Sequence, residues 1–583
     1  MNWNLDTLYL SFDDPKYQKD FEKLTKIIEN YNQLPNLIET EKELTVILKY
    51  LALKQELTKI SRSLFSFNSL TRATDVSNQT AIINLAKLTN LLNKTTKTNV
   101  LMTRFLKDID LEPFKSHPEI ADNFFHLTKI KESAQYLLSE QEEILYSKLR
   151  ELSSVSWSRI QTLLTAKLDV NYQGKTVTLP EVRNLAYDAS KKVRKAAYDA
   201  ELKAYESVEE VVAIALSNIK REVNIMNELR GYDSVLEQTL IRSNLKKETL
   251  EAMLATMMDY RVYFRDYLKA KAQYLGYQNG LPFYELFAPI GSLTKEYSYL
   301  EAQEIIIASF DSYSPKLANF AKKAFQNNWI DPFPKKGKSG GAFCSNQPQI
   351  KESRILTNFT GSLSDIATLA HELGHGYHGE IISENSALNW SYPMPLAETA
   401  SIFCETIVTN HLLSEISDDN ERLSVLEIAI QGDTQVIIDI LSRYLFETDI
   451  LALAEGPISN ATMKELMIKA QKEAYLDGLD ENILHPYMWL NKGHYYSSGL
   501  NFYNFPYAFG LLFGKGLYAL YLKDKKAFLN NYDNLLALTT KASVEEVALA
   551  MNIDITKKEF WENSLKLIKK DLDEVIHLMK VLK

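Results

Sequence analysis

The feature that most constrains the fold is a pair of histidines, His371 and His375, four positions apart. Apolar residues such as Leu369 and Leu373 recur around them at helical spacing, so both imidazoles share one helix face and can reach a single metal ion. Imidazole suits zinc, which in catalytic sites takes three protein ligands and leaves one position open for water. Glu372 lies about 100° round the helix from His371, where a general base is expected. The chain must therefore bring a third ligand to this helix.

The third ligand has to come from residues downstream of His375. A metzincin would need a histidine at position 381, where the chain has Ile381, so that class is excluded. His378 lies about 10 Å along the helix axis from His371, and three ligands from one helix would strain a tetrahedral site. His378 is therefore expected to be a neighbouring polar or substrate-facing group, and it stays an alternative ligand.

Glu398 is the favoured third ligand, because it opens a second predicted helix just after Pro395. That helix can pack across the first and present a carboxylate from the opposite side. Ser401 and Glu405 follow at three and seven residues, so both share the face of Glu398. Glu405 is placed to accept an N–H from a ligating imidazole and fix its tautomer. The alternative is that Glu405 is a solvent-exposed carboxylate.

Helical periodicity dominates the chain from Asp14 to about Arg150 and again after Pro180. Alternation around Gly174 predicts a short hairpin, and the run ahead of the metal helix predicts one further strand. The expected fold class is therefore mainly α, with a small β-sheet near the metal site.

The predicted strand at residues 354–359 leads directly into the metal helix. If it lies at a sheet edge, its main chain can pair with an extended peptide substrate through Arg354, Leu356 and Asn358. The alternative is a strand buried inside a small sheet.

Composition and charge limit the partners and the compartment. A net charge of -9 disfavours a nucleic-acid binder, which needs a basic surface. Two cysteines, Cys344 and Cys404, are too few for a disulfide framework and indicate a reducing compartment. No secretory signal and no apolar stretch of membrane-spanning length is evident. A cytoplasmic protein without membrane partners is expected, and its oligomeric state is left open.

A segment rich in histidine and tyrosine, WLNKGHYYSSGLNFYNFPYAFG, is the remaining chemical feature. Hydrolysis of an amide builds negative charge on the carbonyl oxygen, and donors placed where that charge develops accelerate the reaction. His494 and a nearby tyrosine are donors of the right type. Packing in the core is the alternative for these aromatic residues.

Several runs together resemble the M3 family of zinc metallopeptidases, specifically its oligoendopeptidase F branch: GGAFC, LTNFTGSLSDIATLAHELGHGYH, LAETASIFCE, RNLAYDASKKVRKAAYDAEL and NELRGYDSVLEQ. The resemblance covers roughly residues 110 to 580. It implies a gluzincin-type site in a mainly α, two-lobed ellipsoid, with the metal helices at the floor of a deep central channel. It also implies an N-terminal helical region at 1–110, an oligoendopeptidase-type helical domain at 111–190 and a catalytic domain at 191–583.

The resemblance also implies site residues. The third zinc ligand is the glutamate of LAETAS, Glu398. The histidine and tyrosines that stabilise the oxyanion in the family match His494, Tyr503 and Tyr507. Phe505 stands where the family pattern often has a middle tyrosine, and Tyr507 is favoured over Tyr503 for the oxyanion.

The function predicted is a zinc endopeptidase, with one zinc ion per chain, acting on short unfolded peptides. Zinc polarises the scissile carbonyl and acidifies a water, Glu372 carries the proton to the leaving amine, and His494 and Tyr507 hold the oxyanion. One alternative is a zinc carboxypeptidase or dipeptidyl carboxypeptidase on a similar scaffold. Another is a catalytically inactive helical peptide-binding protein.

Overall fold

The computed structural model describes residues 3–291 and 295–583, and 70% of the chain is helical. The mainly α fold class with a small sheet is therefore confirmed. Within the described ranges the helices are α1 Pro15–Tyr31, α2 Glu43–Thr74, α3 Gln79–Asn93, α4 Thr96–Asp108, α5 Pro118–Asp122, α6 Phe124–Ala134, α7 Glu140–Leu152, α8 Ser154–Ala166, α9 Leu179–Asn184, α10 Lys191–Tyr205, α11 Glu209–Arg230, α12 Val235–Arg242, α13 Lys247–Tyr274, α14 Tyr299–Tyr313, α15 Pro315–Gln326, α16 Leu363–Ile382, α17 Met394–Ala397, α18 Thr399–Glu415, α19 Asp419–Thr434, α20 Ile440–Leu453, α21 Asn460–Tyr475, α22 Phe505–Lys523, α23 Lys525–Leu538, α24 Val544–Leu549 and α25 Lys558–Val581.

The strands form two small sheets. In the first, β1 Asp169–Tyr172 and β2 Lys175–Thr178 pair antiparallel. Gln173 and Gly174 between them both have positive φ, as a tight hairpin turn requires, so the predicted hairpin is confirmed. The second sheet contains β3 Ile330–Asp331, β4 Phe343–Gln347 and β5 Glu352–Leu356 in the order β3-β5-β4. Here β5 runs parallel to β3 and antiparallel to β4.

Of the two positions considered for the strand containing Arg354 and Leu356, the edge position is wrong and the position inside a small sheet is confirmed. That strand is β5, the centre of its sheet, where Arg354 pairs with Ser345 and Leu356 pairs with residues of both neighbours. Asn358 lies beyond the strand, and its side-chain amide donates to the carbonyls of Ser339 and Gly341. The main chain of β5 is therefore already engaged, and the edge strand is β4.

The chain forms two compact units that interleave along the sequence. Unit 1 contains Met1–Gln135, Lys295–His411 and Leu520–Ile553. Unit 2 contains Tyr136–Thr294, Leu412–Ala519 and Asp554–Lys583. The three consecutive regions expected at 1–110, 111–190 and 191–583 do not coincide with these boundaries.

Each unit has its own helical packing. In unit 1, α1 packs on α2 and α4 on α6, and α16 packs on the three-stranded sheet and on α23. In unit 2, α13 runs along α25, α8 packs on α11, and α20 packs on α21. A π-helical turn at Gln435–Asp439 joins α19 to α20. No helix within the described ranges combines the length and the apolarity needed to cross a membrane.

Helix α16 carries the two histidines, and its start is strongly specified. Ser362 and Asp365 form a capping box, in which each side chain accepts a hydrogen bond from the other residue's backbone N–H. Asp365 also accepts from the backbone N–H groups of Thr360 and Gly361. These bonds satisfy donors that the first turn would otherwise leave open, and they fix where the helix begins.

Candidate metal centre and active site

His371, His375 and Glu398 come together as a cluster whose ligand atoms all lie within 4.8 Å of one another. Oε2 of Glu398 is 3.1 Å from Nε2 of His371 and 3.3 Å from Nε2 of His375. Donors that bind zinc tetrahedrally at about 2.0 to 2.1 Å are about 3.3 Å apart. The two distances to Glu398 therefore fit a single zinc-sized ion, and the nitrogen and carboxylate donors match its chemistry.

Glu398 owes its position to a break in the helix. The sequence predicts a helix from Leu396 onward, whereas α17 ends at Ala397 and α18 begins at Thr399, which leaves Glu398 between them. Gly374 of α16 lies against this second segment, because a Cβ on Gly374 would be 2.6 Å from the carbonyl oxygen of Ala400. The contact is possible only with glycine, and it brings the carboxylate to the histidines.

The electrostatics of the cluster favour a bound cation. Burial opposes protonation of His371, but its contacts with Glu398 and Glu405 raise its pKa to about 10. Burial likewise opposes ionisation of Glu398, but the two imidazoles hold its pKa well below the usual range. The carboxylates of Glu398 and Glu405 thus favour a positive charge at the cluster. A divalent ion would supply that charge in place of the proton on His371.

Two side chains orient the ligands. Nδ1 of His371 lies 3.1 Å from Oε2 of Glu405, on the opposite side of the ring from Glu398. The hydroxyl of Ser401 donates to Oε2 of Glu398 at 2.8 Å. The sequence expected both residues on the face of Glu398, and the structure places both beside a ligand, with the side chain of Glu405 41% exposed.

Glu372 lies next to the cluster and is buried. Its Oε2 atom has no hydrogen-bond partner among the described residues. Burial raises the pKa of this carboxyl, while the nearby His375 and His371 and the backbone N–H of Cys344 oppose the rise. A buried carboxylate with one free oxygen beside a metal site is suited to accept and return a proton.

His378 does not join the metal cluster. It is fully buried, its Nε2 lies 2.8 Å from the hydroxyl of Thr539, and its ring stacks on Tyr392. Two turns beyond His371, the same helix face meets a different neighbour, so His378 serves neither as a ligand nor as a substrate-facing group. The expectations of a ligand and of a substrate-facing group are therefore wrong, whereas His378 is a polar neighbour of His375, whose charge affects it.

The edge of β4 faces Glu372. The backbone N–H of Ile355 in β5 donates to Trp329 on the β3 side, so Ile355 and its partner Cys344 form a non-hydrogen-bonded pair. The N–H and C=O of Cys344 consequently point away from the sheet. The lowering effect of the Cys344 N–H on the pKa of Glu372 agrees with this direction.

His494, Tyr503 and Tyr507 form a second cluster, within unit 2. The two tyrosine hydroxyls are 2.8 Å apart, and the rings of His494 and Tyr503 stack at 5.5 Å. Nδ2 of Asn504 lies 2.8 Å from Nε2 of His494, and the sequence analysis did not identify Asn504 as a site residue. The only signal in the sequence was that Asn504 is close to His494 along the chain.

Asn504 fixes the tautomer of His494. Its Oδ1 accepts from Arg443 at 3.4 Å, which assigns Nδ2 as the donor to Nε2 of His494. Burial, together with the charges of Arg443, Lys220 and Lys492, lowers the pKa of His494 to about 3. The imidazole is therefore neutral at pH 7 and carries its proton on Nδ1.

Comparison with known proteins identifies the family. The model of peptidase family M3 matches residues 184–567, and that of oligopeptidase F matches residues 106–169. The chain therefore belongs to peptidase family M3, and the predicted class of metalloendopeptidase is confirmed.

Relatives match over nearly the whole chain. An oligoendopeptidase F homologue of Borreliella burgdorferi is 24% identical and the match covers 98% of this chain and 97% of that protein. Oligopeptidase PepF of Bacillus subtilis is 23% identical, with 100% and 88% covered. Among solved structures, oligoendopeptidase-F from Enterococcus faecium superposes with a TM-score of 0.72 at 18% identity, covering 97% of this chain and 99% of that one. A peptidase structure from Chlamydophila abortus gives a TM-score of 0.83 at 20% identity, with 99% and 98% covered. The chain thus has the fold of these proteins.

Proposed function

We propose that this protein is a zinc-dependent oligoendopeptidase that hydrolyses internal bonds of short unfolded peptides, with one zinc ion per chain. The observation that carries the proposal is the meeting of His371, His375 and Glu398 beside the unpartnered oxygen of Glu372. The relatives, an oligoendopeptidase F homologue and oligopeptidase PepF, support peptides as substrates. We further propose a cytoplasmic location, which the two free thiols support.

Residues of α16, Glu398 between α17 and α18, and Glu405 of α18 divide the chemistry between them. The chemistry that a zinc ion would supply at His371, His375 and Glu398 is Lewis acidity toward the scissile carbonyl and toward a water. Glu372 accepts a proton from that water at Oε2 and delivers it to the nitrogen of the leaving amine. Glu405 holds the ring of His371 by accepting from Nδ1–H, so that Nε2 faces the ion.

The outer edge of β4 supplies a binding site for the substrate main chain. Cys344 directs its N–H and C=O away from the sheet, on the side where the N–H influences Glu372. An extended peptide pairing there gains main-chain hydrogen bonds without any requirement on its side chains. We therefore assign the pairing with the substrate main chain to β4, and not to Arg354, Leu356 and Asn358, which the sequence suggested.

His494 and Tyr507 supply donors for the oxyanion. His494 offers its Nδ1–H, since Nε2 is occupied as an acceptor from Asn504. The hydroxyls of Tyr503 and Tyr507 form one hydrogen bond with each other. If Tyr503 is the donor in this bond, the hydroxyl proton of Tyr507 points away from Tyr503. Donors held in place before the reaction stabilise developing charge without reorganisation.

A pair of variants tests the assignment. Glu372→Gln should keep its metal and lose turnover by about 10² to 10⁴-fold or more, while Glu398→Ala should lose metal directly. Metal content by mass spectrometry and cleavage of quenched fluorescent peptides separate the two effects. Glu384→Gln, at an exposed carboxylate just beyond the same helix, is the matched control. Full activity of Glu372→Gln would refute the assigned base.

The endopeptidase character has its own test. Peptides acetylated at the N-terminus and amidated at the C-terminus should be cut internally, with products identified by mass spectrometry. A carboxypeptidase would leave them intact, because it needs a free terminal carboxylate. Cleavage restricted to peptides with a free C-terminus would therefore contradict the proposal.

A further inference from the structure

Unit 2 contains a cavity of about 240 Å³ that the proposed catalytic chemistry does not use. Its lining comes from residues 182–201, 267–287, 431–443 and 475–492, all within unit 2, and includes no residue of the metal cluster. Tyr187 in the lining is 57% exposed, whereas Tyr475 and His485 are buried. These are the features of a pocket that opens to solvent and closes in the interior, and its volume suits a small ligand.

The charged groups of this cavity do not balance. Four cationic side chains line it, Arg183, Arg194, Arg443 and Lys492, against two carboxylates, Glu201 and Asp439. Three of the cations have carboxylate partners: Arg194 pairs with Glu285, Arg183 with Glu201, and Arg443 with Asp439. Lys492 has no hydrogen bond or ion pair from its side chain to any residue that the structure describes. With these three pairs counted, the positive charge that is left over is that of Lys492.

Lys492 is held in surroundings that disfavour its charge. Burial and the positive charges of Arg443 and Arg183 lower its pKa to about 8, against the opposing effect of Asp439 and Glu201, so the ammonium is still mainly charged at pH 7. The side chain is partly buried, and a charge that is partly withdrawn from water without a partner costs free energy. An anionic ligand in the cavity would neutralise it.

A second unpartnered donor lies in the same lining. Nε of Arg443 is buried and has no hydrogen-bond partner among the described residues, although its terminal nitrogens contact Asp439 and Asn504. Nδ1 of His485 is also buried without a partner. Two side chains of the lining, Lys492 and Arg443, therefore each carry a donor without an acceptor among the described residues, and a carboxylate accepts from both types.

The rest of the lining is aromatic. Tyr198, Phe283 and Phe287 contribute rings to the wall. Such a wall favours an organic anion with an apolar body over inorganic phosphate, whose hydrated oxygens gain nothing from aromatic contact.

We propose that this cavity binds a small carboxylate attached to an apolar group, that is, a free hydrophobic amino acid or the C-terminal residue of a peptide. Lys492 and Arg443 engage the carboxylate, and the aromatic wall takes the side chain. The site is additional to the proposed function and does not depend on it.

Two side chains, Arg443 and Asn504, connect the cavity to His494. Arg443 lines the cavity and donates to Oδ1 of Asn504, and Asn504 in turn donates to Nε2 of His494. A ligand that draws Arg443 toward its carboxylate changes the support of Asn504, so occupancy of the cavity is coupled to the orientation of His494.

The test is calorimetric titration of the full-length, metal-loaded protein. The ligands are N-acetyl-glycyl-phenylalanine, the same compound as its C-terminal amide, and free phenylalanine. Saturable binding of the acids and none of the amide is expected, and the two acids distinguish a peptide end from a free amino acid. No binding at millimolar concentration, or equal binding of acid and amide, would overturn the proposal.

Variants locate the binding. Lys492→Met should weaken it about tenfold to a hundredfold, as loss of a charged donor does. Lys492→Arg should retain most of it. Lys469→Met, at an exposed lysine that pairs with Asp449, is the matched control and should not change it. Loss of binding in Glu398→Ala but not in Lys492→Met would place the ligand on the metal instead and contradict the proposal.

Thermal stability gives an independent measurement. Without ligand, Lys492→Met should unfold at the same temperature as the wild type or higher, because it removes a partly buried charge without an ion-pair partner among the described residues. The acids should raise the melting temperature of the wild type but not of the variant. A large destabilisation of ligand-free Lys492→Met would show that the lysine is structural and would contradict the assignment.

Discussion

His371 lies between two carboxylates that contact opposite nitrogens of its ring. Glu398 faces Nε2 and Glu405 faces Nδ1, each at 3.1 Å. With a cation on the Nε2 side, the proton must reside on Nδ1, where Glu405 accepts it. This arrangement leaves the imidazole one tautomer and one orientation for metal binding.

Removing the acceptor at position 405 should weaken the metal site. Glu405→Leu takes away the oxygen that holds Nδ1–H, and loss of such a partner costs about 10 to 100-fold in metal affinity. Glu405→Gln keeps an oxygen acceptor and should lose less. Competition with a chelator of known affinity measures both, with Glu384→Gln as the control. Unchanged affinity in Glu405→Leu would mean that packing alone orients the ring.

His378 makes stability depend on pH. Burial, together with the charge of His375, lowers its pKa to about 3, below the value of about 6.5 in an unfolded chain. The unfolded state therefore binds the proton first as the pH falls. The contribution of neutral His378 is fully present above about pH 6.5 and is lost between there and about pH 3, at up to about 1.4 kcal/mol per pH unit.

The expected result is a shallower pH dependence in His378→Gln than in the wild type. Denaturant unfolding from pH 7 to 4 measures it, in metal-free protein so that loss of the ion does not contribute. His126 and His494, whose pKa values burial also lowers, remain in both proteins and supply the residual slope. Identical slopes would show that His378 is not the buried neutral base described here.

At the residue scale, the sequence could identify candidate ligands and two side chains that contact them, Ser401 and Glu405, but not the surroundings of His378. The four-residue spacing of His371 and His375 determines that they share a face, and this is a property of the helix alone. His378 lies on nearly the same face, yet its role is decided by Thr539 and Tyr392, which are distant in sequence. Residue spacing carries no information about such neighbours.

At the scale of elements, the close approach of α16 to the start of α18 positions the third ligand. A Cβ on Gly374 would lie 2.6 Å from the carbonyl oxygen of Ala400 and 2.7 Å from Cα of Ser401. Both are backbone atoms, which cannot move aside without shifting the segment that carries Glu398. The helix tolerates the low helical propensity of glycine here because the contact requires it.

Gly374→Ala should therefore destabilise the protein and lower its metal affinity. Overpacking of this kind costs about 1 to 3 kcal/mol, and displacement of Glu398 adds the loss of a ligand. Gly432→Ala in α19 is the matched control, because nothing lies within 4 Å of its added Cβ. That variant should be neutral or more stable by up to about 1 kcal/mol. Denaturant unfolding and chelator competition test both, and equal behaviour of the two variants would contradict the packing argument.

The sequence predicted the elements better than their pairing. Gly174 identified the hairpin, and long helices such as α13 Lys247–Tyr274 lie where helical periodicity was predicted after Pro180. The strand before the metal helix was found, but the sequence did not decide between an edge and a central position, because its partner β3 has only two residues and no alternation to recognise. Whether a strand lies at an edge depends on such partners rather than on its own pattern.

At the scale of the whole molecule, the chain is organised in two interleaved units. The metal cluster belongs to unit 1, and His494 with its tyrosines belongs to unit 2. A division of the sequence into consecutive regions could not find these units, because each is assembled from three separate segments. The motifs were recognisable because each lies within one short segment.

Metal removal tests the organisation of unit 1, where α16 and the segment before α18 supply the ligands. An ion that binds only the folded state stabilises it by about 4 kcal/mol when its free concentration is about a thousand times its dissociation constant. Chelation should therefore lower the melting temperature of the wild type. Glu398→Ala, with a ligand missing, should respond much less.

The effect of metal removal should also grow with pH. In metal-free protein, His371 has a pKa of about 10, raised by Glu398 and Glu405 against the effect of burial, compared with about 6.5 when unfolded. The stability from its protonated form is fully present below about pH 6.5 and is lost as the pH rises through about 10. The ion, in contrast, competes with that proton and binds more tightly as the pH rises. The difference in melting temperature between metal-loaded and metal-free protein should thus widen from pH 6.5 to 9. A difference that stays constant, or that persists in Glu398→Ala, would mean that the stabilising ion is bound elsewhere.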